Sequence, residues 1–75
     1  MNSIPLTAVR SSHLKAIGFD PKDGTLAVQF MDGGTYHYHG VGPQIHDQLM
    51  GASSKGKFFR ATIKGHYRTR KVSSR

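Results

Sequence analysis

A chain of 75 residues and 8.3 kDa, 36% apolar and 9% aromatic, has room for one small domain with a thin core; this excludes a second domain, a doubly wound nucleotide fold and a catalytic barrel. The absence of cysteine excludes a disulfide scaffold, a thiolate zinc site and a cysteine nucleophile. Eleven Lys and Arg against four Asp and no Glu give a net charge of +7 and a pI near 10.3, which points to a polyanionic partner, most often nucleic acid.

Taken from the N-terminus, residues 1–8 read as a flexible arm. They carry neither the basic nor the apolar stretch of a secretory signal. The longest apolar run in the chain is Leu26-Ala27-Val28, against the roughly 20 residues of a membrane span, so a cytoplasmic protein without membrane contact is the expectation. The stretch His13–Phe19 is apolar but irregular, because Leu14 and Ile17 are three apart; either a bulge re-registers it or its start is not strand. After the turn signal Asp20-Pro21-Lys22-Asp23-Gly24, the run Thr25–Met31 alternates, with Leu26, Val28 and Phe30 on one face and Ala27 and Gln29 on the other. That is the period of a half-buried strand. Asp32-Gly33 is a hairpin signal of the type I′ kind, which needs positive φ at both central residues. Thr35–His39 alternates again, Tyr36 and Tyr38 on one face, His37 and His39 on the other.

Beyond Gly40-Val41-Gly42 the period changes to that of a helix. Pro43 suits the first helical position, Ile45, Leu49 and Met50 form an apolar side, and Gly51 can end the segment. Ser53 or Ser54 can cap a second helix from about Lys55 to Lys64, stopped by Gly65. Phe58, Phe59, Thr62 and Ile63 then share one side, and Lys57, Arg60 and Lys64 the opposite side. Residues 68–75 hold one apolar residue and read as a mobile basic tail. The summed expectation is an α+β fold: a three-stranded antiparallel meander followed by two short helices packed on one face, β-β-β-α-α.

The charge is segregated along this plan. Residues 1–54 carry three bases and four acids, whereas Lys55, Lys57, Arg60, Lys64, Arg68, Arg70, Lys71 and Arg75 follow with no acid among them. Gly51-Ala52-Ser53-Ser54-Lys55-Gly56-Lys57 resembles the start of a phosphate-binding loop, but Phe58 stands where Ser or Thr would bind magnesium and no strand precedes it. Nucleotide hydrolysis is therefore excluded. What remains is an anion seat formed by Ser53, Ser54, Lys55 and Lys57 at a helix start, or an ordinary capped turn. His37 and His39 on one strand face, with His13 or His46, raise the question of a metal. With no thiolate and only Asp47 nearby, a polar solvent-facing side is the commoner meaning, and no metal or other cofactor is expected. Ser11-Ser12-His13 lacks an orienting acid and no paired carboxylates occur, so an enzyme is not expected.

The residues Val9, Ser11-Ser12, Leu14 and Ile17-Gly18-Phe19-Asp20, then Leu26, Val28, Phe30 and Gly33, then Tyr36-His37-Tyr38 resemble the KTSC domain. So do Ala52, Ser54, Gly56, Phe58-Phe59, Ile63-Lys64 and Tyr67 further on. The resemblance spans residues 9–67, with Phe19 where the family usually has Tyr. That family takes its name from a segment at the C-terminus of some lysyl-tRNA synthetases and also occurs as small stand-alone bacterial and phage proteins. The resemblance suggests RNA binding and implies no catalytic residues.

Three functions follow as expectations. The first is a sequence-tolerant RNA or DNA module using Ser53, Ser54, Lys55, Lys57, Arg60, Lys64, Arg68, Arg70 and Lys71. If about five phosphates are neutralised, log K falls with log salt at a slope near −4. In this module Tyr36, His37, Tyr38 and His39 are open to two uses, as core or as a stacking platform. The second is a homo-oligomer that holds a nucleotide-type ligand between subunits. The third is an adaptor that recruits a protein through the sheet edge or the basic helix.

Overall fold

The computed structural model describes residues 4–73. Its elements are β1 (Thr7–Ala8), β2 (Leu14–Asp20), β3 (Thr25–Phe30), β4 (Thr35–His39), α1 (Pro43–Gly51), α2 (Lys55–Phe58) and β5 (Arg68–Ser73). The chain is α+β, but the sheet has five antiparallel strands in the order β1-β2-β3-β4-β5 rather than three. Both added strands come from segments whose sequence suggests loose ends. Thr7 and Ala8 pair with Ile17 and Ala16, and Arg68–Ser73 pair along β4. The basic segment 68–73 is thus an edge strand and not a mobile tail; residues 74–75, and residues 1–3 of the N-terminal arm, lie outside the described residues.

The irregular first stretch is a strand with a bulge. Leu14 pairs with Phe30 and Ala16 with Gln29, so the register shifts at Lys15 and both Leu14 and Ile17 reach the core at 1% exposure. A bulge of this kind moves one residue out of the two-residue period, which is why the spacing of three occurs in a strand. The β3–β4 connection differs from the type I′ turn suggested by Asp32-Gly33. Gly33 has φ 98°, but no non-glycine residue among those described has positive φ, so Asp32 is right-handed or extended. The Gly33 N–H donates to the Phe30 carbonyl at 2.9 Å and the Phe30 N–H to the Gly34 carbonyl at 2.8 Å, closing a tight turn followed by one left-handed glycine.

The inner face carries Ile17, Leu26, Val28 and Tyr38, with Phe19, Phe30 and Tyr36 half-buried beside them. Leu49, Phe59 and Ile63 from the helical layer close over it, together with Val41. Helix α1 starts at Pro43 as its composition dictates, and Phe19 stacks on His46 with ring centroids 4.7 Å apart. The second helical segment does not run as a single α-helix. After one α-turn, Phe59–Ile63 widen into a π-helical turn, with the Lys64 N–H donating to the Phe59 carbonyl at 2.9 Å. Phe59 and Ile63 are buried, whereas Phe58 and Thr62, expected on the same side, are only half-buried.

The outer face is also covered in part. Ala16 and Ala27 are buried, and a Cβ added at Gly18 would collide with the Pro5 carbonyl and the Ile4 side chain, so the N-terminal arm crosses the sheet there. Glycine at position 18 is what lets the backbones approach.

Ile63→Ala should lower stability by about 2–5 kcal/mol, because a fully buried aliphatic side chain is lost from a thin core. Val72→Ala, at an exposed edge position, should change it by less than about 0.5 kcal/mol. Urea denaturation of the two variants checks this contrast.

Candidate nucleic-acid interface

The sheet register sorts the late basic residues onto two faces. Across β4 and β5, Tyr36 pairs with Lys71 and Tyr38 with Thr69, while His37 pairs with Arg70 and His39 with Arg68. Directly paired residues in an antiparallel ladder share a face. Thr69 and Lys71 therefore lie on the helix-covered side, and Arg68 and Arg70 join the two histidines on the other.

On the helix-covered side a groove of about 520 Å³ opens between the sheet and the π-helical turn. Its floor is aromatic. Phe30 meets Tyr36 and Phe59 edge-on at 5.5 and 5.4 Å, and Tyr38 meets Phe59 edge-on at 5.3 Å. Tyr38 is buried, so of the two tyrosines only Tyr36 offers a partly open ring. Burial first, and the neighbouring Tyr36 second, push the Tyr38 phenol up to about 12. Arg60 and Lys64 line the groove from the helical layer, and the Lys71 ammonium sits 5.9 Å from the Tyr36 ring centroid. His13, Asp32 and Thr69 complete the rim. Asp32, Phe30 and Thr69 carry no site signal in the sequence, and His13 carries one only as a metal ligand or beside a serine.

Among the described residues no Lys or Arg is paired with a carboxylate. The one approach of an imidazole to a carboxylate among the described residues is His46 Nδ1 to Asp47 Oδ1 at 3.9 Å. Lys57, Arg60 and Lys64 are exposed. The turn before α2 is engaged locally: Ser54 Oγ accepts from the Lys57 N–H at 3.4 Å, and the Lys55 ammonium donates to the Ala52 carbonyl at 3.3 Å. Ser53 is exposed. Ser54 thus acts as the helix cap, with one of its lone pairs committed. The helix start packs closely on the segment between β1 and β2, since a Cβ on Gly56 would lie 3.2 Å from the His13 ring.

On the opposite face, His37 and His39 stand with ring centroids 6.5 Å apart, and His39 Nδ1 lies 3.4 Å from Thr25 Oγ1. Burial, then His39, then Arg70 hold His37 below the usual histidine value. The stacking residues named from the sequence are therefore divided, tyrosines in the groove floor and histidines behind the sheet. No group of three metal-ligating side chains comes together among the described residues. No helix among them is long and apolar enough to cross a membrane.

Comparison with known proteins places this architecture. The model of the KTSC domain matches residues 10–67. The chain belongs to the KTSC domain family. A crystal structure of a KTSC domain protein from Yersinia pestis superimposes with a TM-score of 0.91 at 41% identity, covering 95% of this chain and 100% of that one. A protein from Tsukamurella paurometabola is 40% identical over 60 residues, 80% of this chain and 90% of its own length. A lysine--tRNA ligase from Nostoc punctiforme is 32% identical over 71 residues, 95% of this chain but only 13% of the ligase. The KTSC match stops at Tyr67, before β5, whereas the Yersinia and Nostoc matches each cover 95% of the chain.

The phenol of Tyr38 should ionise near pH 12. Because the folded state then holds its proton more tightly than the unfolded chain, the fold should lose stability as pH rises from about 10 toward 12. Ultraviolet phenolate titration should show one tyrosine late, and Tyr38→Phe should remove that step. A late step that survives the substitution contradicts the assignment.

Proposed function

We propose that this KTSC domain is a non-enzymatic module that binds single-stranded nucleic acid, with RNA as its polymer, in the groove between the helical layer and β4–β5. The observation that carries the reading is that Arg60 and Lys64 line the same groove as the partly open Tyr36 ring, which the Lys71 ammonium approaches to 5.9 Å, with no carboxylate paired to any of the three among the described residues. A single strand needs both components: cations that follow its phosphates and an aromatic face for an unstacked base. Duplex binding needs only the first. The relatives named lysine--tRNA ligase support RNA over DNA, since they join a domain of this kind to an enzyme whose name carries an RNA.

On this reading Arg60, Lys64 and Lys71 contact phosphates, Tyr36 stacks, and Lys57 extends the positive field outward. Lys55, Ser53 and Ser54 shape the turn that presents Lys57. Arg68 and Arg70 face away with His37 and His39, so they add long-range attraction more than contact. The groove volume supports a second reading, a mononucleotide-type ligand, because about 520 Å³ falls in the range of small-ligand sites.

Fluorescence anisotropy with a single-stranded RNA octamer separates these. Three neutralised phosphates give a slope of log K against log salt of about −2, and Arg60→Ala, Lys64→Ala or Lys71→Ala should each flatten it by about 0.7. Tyr36→Ala should cost about 1–3 kcal/mol with the slope unchanged. Arg70→Ala should weaken binding less than Lys71→Ala. A salt-independent affinity contradicts phosphate recognition, and saturation by one mononucleotide that long RNA fails to displace favours the second reading.

A further inference from the structure

An otherwise cationic groove contains one carboxylate. The chain has four acidic residues, and Asp32 alone lines the groove. It rises from the β3–β4 turn, whereas Arg60 and Lys64 come from the helical layer, so acid and bases enter from different elements. Its orientation is set by the backbone: Asp32 Oδ1 accepts from the Gly34 N–H at 2.9 Å, and left-handed Gly33 makes that turn. It is ion-paired to no base among the described residues.

A carboxylate repels phosphate, so the rim at Asp32 is unsuited to the backbone and suited to hydrogen-bond donors. An ionised carboxylate is acceptor-only, with two oxygens arranged for a pair of parallel N–H groups. Oδ1 keeps a lone pair beyond the one used by Gly34, and Oδ2 is not committed to a protein donor in the hydrogen bonds of the described residues. Among the four RNA bases, guanine alone presents two adjacent donors on its Watson–Crick edge, N1–H and the 2-amino group. Adenine and cytosine set an acceptor nitrogen beside their amino group, and uracil flanks its one N–H with carbonyls. Each of those would bring a lone pair against one carboxylate oxygen.

Resting on the nucleic-acid reading above, we propose that Asp32 makes the groove selective for guanine, accepting N1–H and the 2-amino group while the base lies against Tyr36 and the adjoining phosphates meet Arg60 and Lys64. The module is thus tolerant of sequence along most of its strand and selective at one nucleotide. Asp32→Asn is the matched probe, because an amide oxygen still accepts from the Gly34 N–H and so keeps the turn, while its NH₂ group replaces the second acceptor.

The test uses an octauridylate carrying one central guanosine, inosine, adenosine or cytidine, titrated into the full chain and into Asp32→Asn at fixed salt. The wild-type chain should bind the guanosine strand about 10-fold more tightly than the adenosine or cytidine strand, in the range for one good bidentate contact. Inosine, which lacks the 2-amino group, should fall between. In Asp32→Asn the guanosine strand should drop to the level of the others while those keep or gain affinity. Equal binding of all four strands by the wild-type chain overturns guanine selection and leaves the nucleic-acid reading standing. A guanosine preference that persists in Asp32→Asn overturns the role of Asp32. Failure of every strand to bind overturns both.

Discussion

The edge-on packing of Phe59 against Phe30 and Tyr38 is the contact from which the rest of the molecule takes its arrangement. A sheet with a helical layer on only one face has one main core, so the ring that joins the layers also sets their separation. Phe59 opens the π-helical turn, and Ile63 at its end is fully buried. With both ends of that turn held inward, Arg60 and Lys64 are left at the margin of the layer, where it parts from the sheet. The groove is the space that results: aromatic because the floor is the same cluster that holds the helical layer down, and cationic because its wall is the outer margin of that layer.

The charge of the chain acquires a direction from this packing. Lysine and arginine side chains at the surface of a small protein gain little from pairing with carboxylates, and here the described residues show no such pair. The positive field is therefore not cancelled locally. Its parts are not equivalent, however. The pleat of β5 sends Lys71 toward the groove and Arg68 and Arg70 to the histidine face, so a charge total read from composition overstates what any one surface can apply. The partly open ring of Tyr36, with an ammonium near its face, separates the groove from a generally basic surface.

Much of the fold was legible in the sequence, and the reasons for the exceptions are physical. The β3–β4 pair showed in the alternation of Leu26, Val28 and Phe30 with the Asp32-Gly33 turn, and α1 showed in Pro43 and the spacing of Ile45 and Leu49. Strand β5 did not show because an edge strand held by backbone pairing needs no apolar alternation; its one apolar residue, Val72, is exposed. The π-helical turn has no local signal, since Phe59 and Ile63 are four apart and an ordinary α-helix would also put both on one face. For the site, composition located Arg60, Lys64 and Lys71 but not what they surround. His13, Asp32 and Thr69 come from separate loops and strands, and only the folded sheet brings them to one rim.

The proposed binding of nucleic acid requires the groove between the helical layer and β4–β5 to be the contacting surface. Amide and aromatic chemical-shift mapping during titration with a single-stranded RNA octamer tests it directly. Perturbations centred on Tyr36, Arg60, Lys64 and Lys71, together with Asp32, are the expected result. Perturbations centred on His37, His39, Arg68 and Arg70, or none at all at saturating RNA, would contradict it.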